Sequence, residues 1–145
     1  GELIWAATKS MFYGTIIILT ISMFRLVDSF LVVLIIPVLF LSGLIFAELS
    51  MICTALVPGI DSFNYFYTLI MTPMFLFSGI FFPVDTFPPF VSHIASFTPL
   101  FHLTNICRAF AWGNFHILSD MIWLFGMAIM LIPFSFILMR NRIVR

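Results

Sequence analysis

The sequence contains very little charge. Only 8% of its 145 residues are charged, six of them basic and six acidic, whereas 63% are hydrophobic. Soluble domains carry about 25% charged residues, and a chain of this length in water could not cover so much apolar surface. The composition therefore excludes a soluble domain and predicts a membrane protein. Because the net charge is zero and no basic run occurs, we expect no nucleic-acid partner.

The sequence also lacks the motifs of common enzymes and metal sites. Cys53 and Cys107 stand far apart, without disulfide or metal-ligand spacing, and are expected to be small buried residues. No G-x-S-x-G, H-E-x-x-H or G-x-x-x-x-G-K-[ST] pattern occurs, so we expect no catalytic residue, metal, cofactor or nucleotide site. No cleavable signal peptide is recognisable, and the start at Gly1 favours the later part of a longer polypeptide.

Four long apolar segments are present. A membrane-spanning helix needs about 20 mostly apolar residues, and the segments at residues 10–26, 29–57, 63–82 and 117–139 meet this requirement. The second is long enough to tilt, and Pro37 is expected to kink it. These segments predict an all-α polytopic membrane protein whose 145 residues form a single transmembrane domain.

The distribution of basic residues predicts the orientation. Four crossings place both termini on one side of the membrane. The side with the termini then has four basic residues and the other side has two: Lys9, Arg140, Arg142 and Arg145 against Arg25 and Arg108. By the positive-inside rule, both termini are expected to be cytoplasmic.

The connection at residues 83–116 is apolar but broken by proline. Pro83, Pro88, Pro89 and Pro99 each remove a backbone donor and disfavour helix in the preceding residue. We expect two short helices, at about residues 87–97 and 99–112, that form a re-entrant hairpin on the outer face. The alternative is an amphipathic segment lying flat on the outer surface.

Three stretches carry a family resemblance: "GELIWAATKS", "FSGIFFPVDTFPP" and "PLFHLTNICRAF". In this order they resemble type-2 ABC (ABC-2-type) exporter permeases, and most of all the nodulation-factor (lipo-oligosaccharide) exporter permeases. Members of this family usually have six spans. The resemblance therefore implies that this chain corresponds to the last four and that two N-terminal spans are missing.

The resemblance implies roles for two regions. Residues 1–10 would be a cytoplasmic coupling helix that docks on an ATPase subunit, with contacts from Gly1, Glu2, Trp5 and Lys9. The alternative is that these residues begin the first span, with Lys9 extending to the interface. Residues 84–111 would cap the outer end of the pathway, and the signature residues would be Ser78, Gly79, Pro83, Pro88, Pro99, His102 and Arg108.

Several polar residues keep alternative interpretations. Arg108 would pair with Asp85 or Asp120, or meet an anionic group of a lipid or glycan. His93 and His102 are better explained as hydrogen-bonding residues than as a metal or pH-sensing site. Glu48, inside a span, either lines the pathway, is protonated, or is paired with Lys9 or with a residue of the missing half.

Aromatic and small residues complete the site predictions. The phenylalanines near the end of the third span would line a route for sugar rings or acyl chains: Phe75, Phe77, Phe81 and Phe82. Small residues at helical spacing on the second span predict a packing face: Gly43, Ala47, Ser50 and Thr54.

The resemblance implies the permease subunit of an ATP-driven exporter in a bacterial inner membrane. Its partners would be a separate ATP-binding cassette ATPase, a second permease protomer and membrane lipids. The cargo would be an amphiphile such as a lipo-oligosaccharide or a lipid-linked polysaccharide. The alternatives are a drug or antibiotic efflux permease of the same family, an intramembrane enzyme, and a passive channel, which would need more polar residues along its spans.

Overall fold

The computed structural model describes residues 1–26, 30–57, 59–81, 86–112 and 117–143, whose regular structure is entirely helical. A 3₁₀-helix, Phe30–Leu34, leads into the second α-helix, and a π-helix, Tyr67–Met71, joins the third to the fourth. The α-helices are α1 (Glu2–Met23), α2 (Ile35–Leu56), α3 (Ile60–Phe66), α4 (Thr72–Phe77), α5 (Pro89–Ala95), α6 (Pro99–Trp112) and α7 (Leu118–Ile143).

Within the described residues, three helical stretches are long and apolar enough to cross a membrane. They are Glu2–Met23, Val32–Leu56 and Leu118–Asn141. These stretches agree with the first, second and fourth predicted spans and confirm the all-α membrane architecture. The last of them lies within α7, which continues past the predicted end at residue 139.

The predicted coupling segment and the first predicted span form one helix. α1 runs without interruption from Glu2, so the helix has no break at residue 10, and the predicted boundary of the span there stays a prediction. Residues 2–10 contain no proline or glycine that would interrupt the helix. The geometry matches the alternative in which these residues begin the first span. α1 ends before Arg25, which has a positive φ of 51°, and Leu26 N–H donates back to the carbonyl oxygen of Ile21.

Close packing of small residues joins α1 and α2. A Cβ atom added at Gly43 would lie 2.6 Å from Cβ of Ser10 and 3.0 Å from Cα of Ala7. Ser10 Oγ donates a hydrogen bond to the carbonyl oxygen of Leu39 over 3.0 Å. The predicted packing face is therefore confirmed at Gly43. At Thr54, its last position, the side chain is exposed and bonds within α2.

Pro37 does not kink the interior of a helix. It is the third residue of α2, and the residue four positions earlier, Val33, lies in the 3₁₀-helix. In a longer α-helix the proline ring would clash with the carbonyl group at that position. The change from 3₁₀ to α geometry avoids this clash, so the predicted kink is replaced by a change of helix type.

The third predicted span is a helical stretch of mixed type. α3, the π-helix and α4 follow one another from Ile60 to Phe77, a length of about 27 Å at about 1.5 Å per residue. Pro73 follows the π-helix and lacks an N–H group, and Thr72 N–H bonds to the carbonyl oxygen of Tyr67, five residues back. That this stretch crosses the membrane, as the third of four spans, stays a prediction.

The proline-rich connection contains two short helices. α5 is shorter than the predicted helix at 87–97, and α6 has the predicted bounds, Pro99–Trp112. Between them Thr98 Oγ1 donates to the carbonyl oxygen of Ala95 over 2.7 Å, which satisfies one acceptor at the end of α5. Their re-entrant placement depends on the bilayer and stays a prediction.

The core forms where α2 meets α6 and α7. Apolar side chains from the three helices and their N-terminal approaches pack into one buried cluster: Val32, Ile35, Val38, Ile45, Ile106, Phe110, Ile117, Leu124 and Ala128. α2 also packs against α1. α2 is therefore the central helix of the described bundle, and α6 is held against it by apolar contacts.

Candidate functional site

The Ser-Gly pair of the signature region forms the turn after α4. Ser78 is buried, and its Oγ donates to the carbonyl oxygen of Phe75 over 2.6 Å. Gly79 has a φ of 81°, a left-handed conformation that favours glycine because other residues carry a Cβ atom. The pair ends the helix and redirects the chain, which explains why these two residue types occur at this place.

Arg108 connects α6 to the same turn. Its guanidinium donates a hydrogen bond to the carbonyl oxygen of Gly79. The predicted pairing with Asp120 is not formed, because that carboxylate binds His102. Asp85, the other predicted partner, lies outside the described residues. The sequence analysis considered charged partners for Arg108 and therefore missed a backbone acceptor.

His102 joins α6 to α7 through contacts on three sides. Its Nδ1 lies 2.5 Å from Oδ1 of Asp120, and its Nε2 lies 2.7 Å from the carbonyl oxygen of Ser96. The ring stacks on Trp123, with centroids 4.3 Å apart and planes inclined by 25°. Because both ring nitrogens face oxygen atoms, Nε2 donates to Ser96 and a proton is held between Nδ1 and the carboxylate. This geometry agrees with the hydrogen-bonding interpretation of His102.

None of these partners was predicted for His102 by the sequence analysis, which assigned Asp120 to Arg108 and did not consider Trp123 or the carbonyl group of Ser96. One signal was available, since Asp120 and Trp123 are three residues apart and share a face of α7. Together, the turn after α4, Arg108 and the contacts of His102 tie the signature region to α7. We call this set of contacts the signature cluster: Ser78, Gly79, Ser96, His102, Arg108, Asp120 and Trp123.

The prolines of the signature region occupy helix starts. Pro88 precedes α5, and its carbonyl oxygen accepts hydrogen bonds from Val91 N–H and Ser92 N–H, at 3.0 and 3.1 Å. Pro99 is the first residue of α6, where a missing N–H group costs no hydrogen bond. His93 lies in the last turn of α5. Pro83 is outside the described residues.

The predicted coupling residues lie at the exposed beginning of α1. Gly1, Glu2, Trp5 and Lys9 are all exposed, and Nζ of Lys9 lies 5.1 Å from the ring centroid of Trp5. This is a cation–π contact, and it directs the ammonium group towards Trp5. The alternative pairing of Lys9 with Glu48 is not formed. The coupling role of these residues stays a prediction.

Glu48 is completely enclosed by its surroundings. Its exposed fraction is 0%, and among the described residues neither carboxylate oxygen has a hydrogen-bond partner. An intramembrane carboxyl group without a partner is costly and therefore a functional candidate. In this conformation it has no accessible surface with which to line a pathway. That predicted role would require the helices to separate, and it stays a prediction.

The aromatic residues of the predicted route form two ring pairs, and their role as a route stays a prediction. Phe75 and Phe81 pack edge to face with centroids 5.4 Å apart, and Phe77 packs in the same manner on Phe87 at 5.9 Å. Phe82 lies outside the described residues. Phe75 also borders a groove of about 360 Å³ whose other walls come from α2, the π-helix, α4 and α6: Phe46, Met71, Thr72, Met74 and Leu100.

Comparison with known proteins identifies the family. Residues 1–112, which contain α1 to α6 and most of the signature cluster, match the family described as "ABC-2 type transporter". The chain belongs to the ABC-2 type transporter family. The ordered stretches that suggested this resemblance lie within the matched range, the predicted family is confirmed, and the protein is a multi-pass membrane protein.

Several proteins similar to this chain carry the name Nodulation protein J. The chain is 40% identical over 114 residues to Nodulation protein J of Rhizobium leguminosarum bv. viciae, covering 79% of the chain and 44% of that relative. It is 38% identical over 114 residues, with the same coverage, to Nodulation protein J of Rhizobium meliloti (strain 1021). The Sinorhizobium fredii protein of that name is 39% identical over 108 residues, covering 74% and 41%.

The matched part of the chain spans less than half the length of these relatives. No solved structure matches it. The expected likeness to nodulation proteins is confirmed by the names and identities of these relatives.

Proposed function

We propose that this chain is part of the membrane-spanning permease subunit of an ATP-driven exporter. The observation that carries the proposal is the family match over residues 1–112, a range in which the Ser78–Gly79 turn is bonded to Arg108. The chain contains no G-x-x-x-x-G-K-[ST] sequence, so ATP hydrolysis is assigned to a separate ATPase subunit. The permease would work as a homodimer.

The proposed cargo is an amphiphile, such as a lipo-oligosaccharide or a lipid-linked polysaccharide. The relatives named Nodulation protein J support the first of these. Exposed aromatic rings on the α4 side, including Phe75 and Phe81, suit both sugar rings and acyl chains. A hydrophobic drug is the alternative cargo within the same family.

The proposed location is a bacterial inner membrane with both termini of this chain in the cytoplasm. Four crossings, with Ile60–Phe77 as the third, give this orientation together with the basic residues near the termini. The exposed beginning of α1 would then face the ATPase. The contact of Lys9 with Trp5 gives that surface a cationic and aromatic character.

Cysteine cross-linking tests this proposal. In the complete natural polypeptide, in its own membranes and without Cys53 and Cys107, Trp5→Cys is expected to cross-link to a soluble ATPase subunit with a yield that changes on addition of ATP. Tyr13→Cys is the matched control, because Tyr13 is also exposed but lies about 12 Å further along α1. Equal capture at both positions, or none at Trp5, would contradict the coupling assignment.

A further inference from the structure

A groove between α1, α2 and α6 has the form of a lipid site. It has a volume of about 350 Å³, within the range of about 300–1,000 Å³ that is typical of small-molecule pockets. Its apolar walls include Ile17 and Ile21 from α1 and Ile35 and Leu39 from α2, and α6 contributes Thr104 and Arg108. We call it the α1–α2–α6 groove.

The walls of the groove run along the helices. Gly14, near the middle of α1, packs on Leu39 in the second turn of α2, while Ile21 and Val32 line the groove where α1 ends and the approach to α2 begins. From Gly14 to Ile21 the wall is about 10 Å long, at about 1.5 Å per residue. An acyl chain lying along it would extend from the helix ends towards the middle of the bilayer.

Arg108 supplies the single charge among the groove's lining residues. The guanidinium is half-buried and carries five N–H donors. Its hydrogen bond to the carbonyl oxygen of Gly79 uses one of these donors. Within the described part of the chain no carboxylate forms an ion pair with it, since the ion pair there is between His102 and Asp120. A positive group with spare donors at an apolar groove is complementary to a phosphate bearing an acyl chain.

We propose that the α1–α2–α6 groove binds an anionic phospholipid of the bilayer, with its acyl chain along α1 and α2 and its phosphate on Arg108. The hydrogen bond to Gly79 orients the guanidinium, so an occupied groove would also stabilise the turn after α4. The proposal requires only the membrane location of the protein and is independent of its cargo and of ATP.

The test uses the complete natural polypeptide in phosphatidylcholine nanodiscs that contain a minor fraction of phosphatidylglycerol. Photoactivatable acyl-chain forms of either lipid are cross-linked, and the labelled peptides are mapped by mass spectrometry. We expect phosphatidylglycerol to label the groove residues about fivefold more than phosphatidylcholine, the ratio expected for one basic side chain near an anionic headgroup.

Variants of Arg108 separate its charge from its hydrogen bond. Arg108→Lys keeps the charge and is expected to keep the preference. Arg108→Gln can still donate to a carbonyl group but is neutral, so it is expected to bring the two lipids to equal labelling. Arg140→Gln removes an exposed charge on α7 and serves as the matched control. If Arg108→Gln retains the preference, or Arg140→Gln loses it equally, the proposal is wrong.

Two further outcomes are decisive. If no label maps to the groove, another part of the complete polypeptide covers it and the proposal fails. If Arg108→Gln does not yield folded protein, Ala111→Phe replaces it, because Ala111 lines the groove and a larger side chain would fill it while Arg108 is kept. Loss of groove labelling by both lipids in this variant supports the site, and unchanged labelling overturns it.

Discussion

The contacts of His102 can be separated by substitutions that keep one hydrogen bond at a time. An asparagine at this position places its amide nitrogen near the site of Nδ1 and can still donate to Asp120. A glutamine places it near the site of Nε2 and can still donate to Ser96. Both variants lose the stacking on Trp123, so the difference between them reports on the polar contacts.

The expected change in the free energy of unfolding follows from the burial of His102 and Asp120. The side chains of His102 and Asp120 are 10% and 17% exposed, so solvent screens their contact little. A hydrogen bond to a charged group contributes about 1.5–3 kcal/mol. We expect His102→Ala to lower the free energy of unfolding by about 3 kcal/mol, and His102→Asn and His102→Gln to lower it by about half as much.

A second substitution tests whether the contact is direct. Asp120→Asn removes the charge and keeps the shape of the side chain. In the His102→Asn background, which keeps the contact with Asp120, this substitution is expected to lower the free energy of unfolding. In the His102→Gln background, which has already lost that contact, the decrease is expected to be smaller by about 1.5 kcal/mol. Equilibrium unfolding of the complete polypeptide in mixed micelles, followed by circular dichroism, provides the measurement. Equal costs in the two backgrounds would refute the proposed pairing.

Four further substitutions have outcomes that the structure specifies. Gly43→Val is expected to destabilise the protein by about 1–3 kcal/mol, because the added atoms would overlap Ser10. Gly126→Ala is the control, because a Cβ atom there meets no atom within 4 Å, and it is expected to leave stability unchanged or raise it by up to about 1 kcal/mol. Glu48→Met is expected to raise the free energy of unfolding by about 1–3 kcal/mol, because it removes an unpartnered buried carboxyl group. If chemical unfolding shows a lower free energy of unfolding for this variant, Glu48 has a partner in the complete protein. Arg25→Gly is expected to stabilise the protein by about 1 kcal/mol, because glycine adopts the positive φ of this position without backbone strain. The thermal unfolding midpoint should therefore rise, and an unchanged midpoint would show that the arginine is not strained.

The sequence predicted those elements whose cause is local. Long apolar runs located three of the four predicted spans because lipid leaves the backbone no other hydrogen-bonding partner. Pro99 predicted the start of α6 because a proline is favoured at a first helical position. The helix at residues 2–10 is explained by a local sequence that has no helix breaker, and the coupling role that the family likeness gave these residues stays a prediction.

The side-chain partners could not be predicted from the sequence. His102 and Asp120 are 18 residues apart, and their contact depends on how α6 and α7 are rotated against each other. The partner of Arg108 is a carbonyl group, which every residue possesses and no composition reveals. Glu48 lies on a helix that is apolar on all sides, so no hydrophobic stripe shows which face is buried.

The contact between α1 and α2 has a consequence for how motion would pass through the protein. Ser10 bonds to the backbone of α2, and Gly43 leaves no free space beside Ala7 and Ser10. The exposed beginning of α1 therefore cannot swing as a separate hinged arm without breaking this contact. A displacement applied near Trp5 would instead act on α2 as well as on α1, and so on two of the three walls of the α1–α2–α6 groove.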